Sequence, residues 1–274
     1  MSKKNSPKSN LTVALIQMNS GEHRLDNLQQ LDELLESIND TPVDIVALPE
    51  MFNCRSQGKN KISGEPLLGA TTHWLKQKAV RLNTHIIGGS LTENGMGDKN
   101  YNTMVVIDPK GELIHSYRKI HMFDVQVGQK KISESKHYHS GFQPKLIEIK
   151  GWKFGLSICY DLRFPELYRH YFKSKVDAIL IPSSFTKTTG EKHWRILCQA
   201  RAIENQAYVL APNQCGIGAG GIQTLGNSLV IDPDGQLLYQ ANGNNPEIKM
   251  IELKYSEIEV VRQSMPNHEH ARLL

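Results

Sequence analysis

Cys159 stands between an apolar run that reads as a strand, Trp152 to Ile158, and a segment that reads as a helix. Pro165 suits the first turn of that helix, and Leu167, Tyr168, Tyr171 and Phe172 follow at helical spacing. A thiol at a strand-to-helix turn is well placed to attack, because the turn can expose the sulfur and nearby backbone N–H groups can hold an oxyanion. A lone cysteine also has an ordinary use as a small buried apolar residue. Cys54, Cys198 and Cys215 take that ordinary reading; Cys198 lies in a helical stretch and Cys215 borders a glycine-rich loop. For Cys159, position alone leaves both readings open.

A thiol that attacks an amide must lose its proton, its oxyanion must be stabilised, and the leaving nitrogen must be protonated. Histidine is the usual base, but the 11 histidines are scattered and no short motif pairs one with Cys159. Pairing in space stays open. A buried carboxylate can serve instead, with an ammonium to stabilise negative charge. Glu50 ends the apolar run Asp44 to Pro49, either at the mouth of a buried strand or as a solvated loop acid. Lys119, in Tyr117-Arg118-Lys119-Ile120-His121-Met122-Phe123-Asp124, follows a predicted strand and reads alone as part of a basic surface loop.

Taken together these residues say more. Leu48-Pro49-Glu50, Arg118-Lys119-Ile120-His121 and Ile158-Cys159-Tyr160-Asp161-Leu162-Arg163-Phe164-Pro165-Glu166 resemble, in order, the three signatures of the nitrilase superfamily, the carbon–nitrogen hydrolases. The resemblance runs from about Leu11 to Glu257. It implies a four-layer α-β-β-α sandwich, homodimers built through helical faces, and hydrolysis without a metal or organic cofactor. It further implies that Glu50 takes the thiol proton and returns it to the leaving amine. Cys159 would form a thioester, and Lys119 with the backbone N–H of Tyr160 would hold the oxyanion. Glu134, in Ser133-Glu134-Ser135-Lys136, matches a further family glutamate that positions the lysine and substrate; its alternative is a solvated loop acid.

Pro182-Ser183-Ser184-Phe185-Thr186 and Thr189-Gly190-Glu191-Lys192-His193-Trp194 resemble the branch acting on ω-amides of 2-oxo acids. Ala200 to Gln206 and Pro212 to Gly216 are more similar to deaminated glutathione amidases within it. One departure is Asn227 in Gly226-Asn227-Ser228, where relatives usually carry histidine. A carboxylate-bearing substrate should meet basic or hydroxyl groups, and Arg163 and Thr186 are the candidates; Arg163 pairing with Glu166 is the alternative. Two other functions stay open: an N-carbamoyl amidohydrolase using the same triad, and a non-catalytic scaffold with this fold.

These residues need elements to position them. Leu11 to Met18 reads as a buried strand, and Leu25, Leu28, Leu31, Leu34, Leu35 and Ile38 recur as an amphipathic helix. Val43 to Leu48 is a short apolar run, Thr71 to Leu82 a helix and His85 to Leu91 a strand. Two strands then flank the turn Asp108-Pro109-Lys110-Gly111. The second half repeats this plan: Val106 to Leu113 resembles Val230 to Leu237, and Asp44 to Pro49 resembles Asp177 to Pro182. Asp-Pro-x-Gly is a common turn, but two matches in the same order favour an internal duplication. A duplicated α/β unit predicts two packed sheets, each covered by helices on its outer face.

The chain of 274 residues suffices for one such domain, expected over 11–274 behind a flexible arm, 1–10. The net charge is +4, with Lys3, Lys4 and Lys8 in the arm and no basic run in the body, which argues against nucleic acid. No apolar run approaches a membrane span, and Met1 to Asn10 lacks the apolar stretch of a secretory signal, so a cytoplasmic protein is expected. The 4 cysteines form no CxxC pair, so neither zinc nor a disulfide framework is indicated. Gly216 to Gly221 is either a mobile segment at the pocket entrance or a plain loop; no P-loop sequence accompanies it.

Overall fold

Alternating side chains in the first strand explain the layering. The computed structural model describes residues 8–55, 63–127, 130–218 and 221–273. In β1 (Leu11–Gln17), Leu11, Val13 and Leu15 share one buried cluster with Phe154 and Leu156. Ala14 and Ile16 join another with Leu28, Leu31 and Leu35 of α1 (Arg24–Glu36) and Leu75 and Ala79 of α2 (Ala70–Leu82). One face of the strand therefore looks at a second sheet and the other at helices. Leu25, counted in the apolar helical stripe, is 74% exposed: it lies in the first turn, outside the face formed by Asn27, Leu28, Leu31 and Leu35.

The first sheet also contains β2 (Ile45–Ala47), β3 (His85–Glu93), β4 (Tyr101–Ile107) and β5 (Leu113–Arg118). A ribbon, β6 (Asp124–Val127) with β7 (Lys130–Ser133), follows it. The second sheet is built from β8 (Lys145–Ile149), β9 (Trp152–Leu156), β10 (Ala178–Leu180), β11 (Tyr208–Ala211), β12 (Leu229–Ile231) and β13 (Leu237–Gln240). Strand β14 (Glu247–Leu253) returns to the first sheet beside β1. Helices α3 (Pro165–Lys173) and α4 (Lys187–Asn205) cover the second sheet, and α5 (Tyr255–Ser264) and α6 (Asn267–His270) end the described chain. Leu167, Tyr168 and Tyr171 of α3 and Trp194, Cys198 and Ala202 of α4 complete the cluster that begins at β1. The four-layer sandwich expected from the sequence is thus present.

The duplication is visible in the strand orders, β14-β1-β2-β3-β4-β5 and β8-β9-β10-β11-β12-β13. In both sheets the second to fourth strands are mutually parallel and all other neighbours antiparallel. The matched sequences fold alike in detail. Asp44 accepts the Thr12 N–H at 2.7 Å, and Asp177 accepts the Lys153 N–H at 2.9 Å. Asp108 Oδ1 takes the N–H groups of Lys110 and Glu112, as Asp232 Oδ1 takes those of Asp234 and Gln236. Gly111 (φ 79) and Gly235 (φ 87) supply the left-handed residue each turn requires.

The expected free arm needs correction where it is described; residues 1–7 lie outside the described residues. Lys8 pairs with the buried Asp177 at 2.6 Å, the Trp152 indole N–H donates to Ser9 O at 2.8 Å, and Asn10 donates to Glu252. A buried indole requires an acceptor, and here that acceptor fixes the backbone preceding β1. Among the described residues no helix is long and apolar enough to cross a membrane.

Candidate active site

The ends of β2, β5 and β9 bring the acid, the ammonium and the thiol together. Beyond β2 the backbone of Leu48 and Pro49 passes against Gly89, where a Cβ would lie 1.9 Å from the Pro49 carbonyl oxygen. Only glycine permits that approach. Met51, just after Glu50, adopts φ 54 and donates its N–H to Ser90 Oγ at 3.0 Å. Glu50 is thereby turned inward and is 4% exposed. Cys159 opens a 3-10 turn (Cys159–Arg163) and itself adopts φ 48. This conformation costs a non-glycine residue about 1–2 kcal/mol and must be held by its surroundings. Its N–H donates to Pro182 O at 3.0 Å.

Asp161 does most of that holding. Fully buried, it accepts the Ile158 N–H at 2.9 Å and the Tyr117 hydroxyl at 2.7 Å on one oxygen. Its other oxygen accepts the His121 N–H at 3.0 Å and meets His121 Nδ1 at 2.7 Å. One carboxylate thus joins the turn carrying the thiol to the segment carrying the lysine. The His121 ring stacks on Phe164, with centroids 3.7 Å apart.

Lys119 Nζ lies 3.0 Å from Glu50 Oε1 and 2.9 Å from both oxygens of Glu134. Glu134 is no solvated loop acid: besides the ammonium, it accepts the Phe123 N–H at 2.6 Å. Burial alone would lower the Lys119 pKa, but Glu134, Glu50 and Cys159 outweigh it and hold the ammonium well above its ordinary value. Glu50 also accepts the Asn102 amide at 2.9 Å and the Ser184 N–H at 2.8 Å. The Asn102 amide reaches Glu134 as well. Burial, and then the Glu50 charge, push the Cys159 thiol well above its ordinary range, against the pull of Lys119 and the Ser184 N–H. A thiol raised in this way is activated by a base at the moment of attack rather than stored as thiolate.

Tyr160 is half-buried, its ring edge-on to Phe123 and Phe164. Arg163 does not pair with Glu166 as its alternative reading held. Its guanidinium faces His193 Nδ1 at 3.3 and 3.4 Å and lies over the Phe185 ring at 5.3 Å. Thr186, 6% exposed, immediately precedes α4 and shares a 2.8 Å hydroxyl contact with Thr189. Asn227 adopts φ 52, which asparagine tolerates well, and its carbonyl accepts the Trp194 indole N–H at 2.8 Å. Of the Gly216–Gly221 loop, residues 219–220 lie outside the described residues. The neighbours of the candidate site not foreseen are Asn102, Asp161, Ser184 and Arg55. Asp161 lay inside the cysteine signature and Ser184 inside the Pro182 to Thr186 motif; Asn102 and Arg55 gave no local signal, since their partners are remote in sequence.

The chain matches the Carbon-nitrogen hydrolase model over residues 12–263. The chain belongs to the carbon–nitrogen hydrolase family. It is 35% identical over 272 residues to the deaminated glutathione amidase of Dictyostelium discoideum, covering 95% of this chain and 94% of that protein. It is 34% identical over 261 residues to the omega-amidase NIT2 of Mus musculus, covering 94% of each. The crystal structure of Saccharomyces cerevisiae Nit3, a member of branch 10 of the nitrilase superfamily, superposes with a TM-score of 0.84 at 31% identity, covering 96% of this chain and 97% of that one. This carbon–nitrogen hydrolase is accordingly an amidase for bonds other than peptide bonds.

Proposed function

We propose that this amidase hydrolyses a small 2-oxo-acid ω-amide, with deaminated glutathione first among the candidates, through a thioester on Cys159. Glu50 removes the thiol proton as the sulfur attacks the amide carbon. The tetrahedral oxyanion is held by Lys119 and the Tyr160 N–H, and Glu50 returns the proton to the departing nitrogen. Water deprotonated by Glu50 then cleaves the thioester and frees the acid. Glu134 keeps Lys119 charged and aimed. The single observation that carries this reading is the Lys119 ammonium 3.0 Å from Glu50, the carboxylate whose charge also acts on the Cys159 thiol. Without such a base a neutral thiol is a poor nucleophile.

The choice of substrate rests on the relatives named above and on Arg163. That guanidinium borders the nucleophile's turn and faces a histidine rather than a carboxylate, so it is free to take a substrate carboxylate. Thr186 offers a hydroxyl nearby in sequence to the Ser184 N–H. The test is release of ammonia or cysteinylglycine from a panel of 2-oxo-acid amides, with carbamoyl amines as the competing class. Turnover of the 2-oxo-acid amides, lost in Cys159→Ala and weakened chiefly in KM by Arg163→Met, is expected. Carbon dioxide and ammonia released from carbamoyl substrates alone would contradict it.

A further inference from the structure

Arg55 is 2% exposed, yet no carboxylate lies within ion-pair distance of it among the described residues. All five of its N–H groups go to neutral oxygens. Nε donates to Ser20 O at 3.0 Å; one terminal nitrogen donates to Thr224 Oγ1 at 3.1 Å and Ser184 Oγ at 3.4 Å; the other donates to Asn19 Oδ1 at 2.9 Å and Cys215 O at 3.4 Å. A Cβ at Gly218 would meet the guanidinium carbon at 2.8 Å, so the backbone closes tightly over it. A buried guanidinium satisfied only by neutral groups is costly and calls for a reason.

Two features give one. Ser184 accepts from Arg55 through its hydroxyl and donates to Glu50 through its N–H. Ser20, whose carbonyl also accepts from Arg55, binds Gln214, and Gln214 donates to the Glu50 carbonyl at 3.0 Å. Arg55 is therefore linked to both the carboxylate and the main chain of Glu50. The second feature is charge. Lys119 is shared between Glu50 and Glu134, so one ammonium serves a buried and a partly buried carboxylate. The other groups around Glu50 are the Cys159 thiol, which burial raises well above its ordinary range, and Tyr138, whose hydroxyl burial pushes up to about 12. Arg118 is committed to Glu93. Burial lowers Arg55 to about 10, so it stays charged at neutral pH, and its field reaches Glu50.

We propose that Arg55 is a positioning residue whose buried charge keeps Glu50 ionised and aimed at the thiol. This rests on Glu50 being the base in the proposed function. Loss of a neighbouring positive charge favours the neutral acid, so removing it must move the acid limb of the pH profile upward. In Arg55→Met the acid limb of kcat/KM should move to higher pH, while Arg55→Lys keeps the limb near wild type with a reduced kcat. The rate of Cys159 modification by methyl methanethiosulfonate against pH gives the same readout without an amide, so it tests Arg55 even if no amide in the panel is turned over. An acid limb unmoved in Arg55→Met, in both assays, would overturn the proposal. Should Arg55→Met not fold, Arg55→Gln replaces it; failure of every neutral variant to fold beside a folded Arg55→Lys would assign Arg55 to the fold alone and likewise overturn it.

Discussion

The two halves of this hydrolase share a sheet order, an aspartate clamp and a turn, yet they end in different chemistry. Counted from the clamps Asp44–Thr12 and Asp177–Lys153, Glu50 falls where the second half has Ser183, and Cys159 falls where the first half has Met18. Met18 is fully buried and apolar, and the Ser183 hydroxyl merely donates to Ile181 O at 3.0 Å. The repeated scaffold fixes where strand ends lie; the residues placed there decide what each end does. Each half keeps one reactive end and one inert end, and packing the sheets face to face brings the reactive ends together.

The comparison makes its largest prediction at the sulfur. Cys159→Ala should lower kcat by at least about 10³-fold, since nucleophile losses are of that order or larger. Met18→Ala should leave a competent site but cost about 3 kcal/mol of stability in urea unfolding, as large-to-small core changes do. Similar kinetic losses in both would erase the distinction between the halves. At the second pair, Glu50→Gln should cost roughly 10²–10⁴-fold in kcat/KM, against about 1 kcal/mol of stability for Ser183→Ala.

With Glu50 as the proposed base, the acid should also govern reactivity with pH. In wild type, alkylation of Cys159 should proceed at neutral pH because Glu50 accepts the proton. In Glu50→Gln the thiol loses its proton acceptor, so the rate at pH 7 should fall; burial still raises the thiol, while the lost Glu50 charge removes part of that rise, so the rate should climb toward alkaline pH. A rate at pH 7 equal to wild type in that variant would contradict Glu50 as the proton acceptor. Smaller again, Asp161→Asn should lose about 10-fold in kcat/KM, because Cys159 and Lys119 lose their shared anchor. KM for substrate should change little. The smallest effect tests the duplication itself: Asp108→Ala and Asp232→Ala should each cost about 1 kcal/mol, equal within error, because their hydrogen bonds match.

Much of the fold was legible because short apolar strands and the two Asp-Pro-x-Gly turns carry strong local signals, and their repetition pointed to two sheets. The thiol, acid and lysine were legible only as an ordered set; each alone read equally well as core or loop. What stayed hidden depends on contacts between distant segments. Asn102 touches both glutamates from within β4, Ser184 reaches Glu50 across the sheets, and Arg55 gathers acceptors from four separate stretches. The arm was misjudged at Lys8 and Ser9 because their partners, Asp177 and Trp152, are remote in sequence. Arg163 and Glu166, though close in sequence, turn to different surroundings.

The most direct test of the account is intact-protein mass spectrometry on wild type quenched during turnover of a 2-oxo-acid ω-amide. The expected result is an added acyl mass that maps to Cys159, disappears as the acid product forms, and is absent from Cys159→Ala. Steady hydrolysis with no acyl adduct on Cys159, or equal turnover by Cys159→Ala, would contradict it.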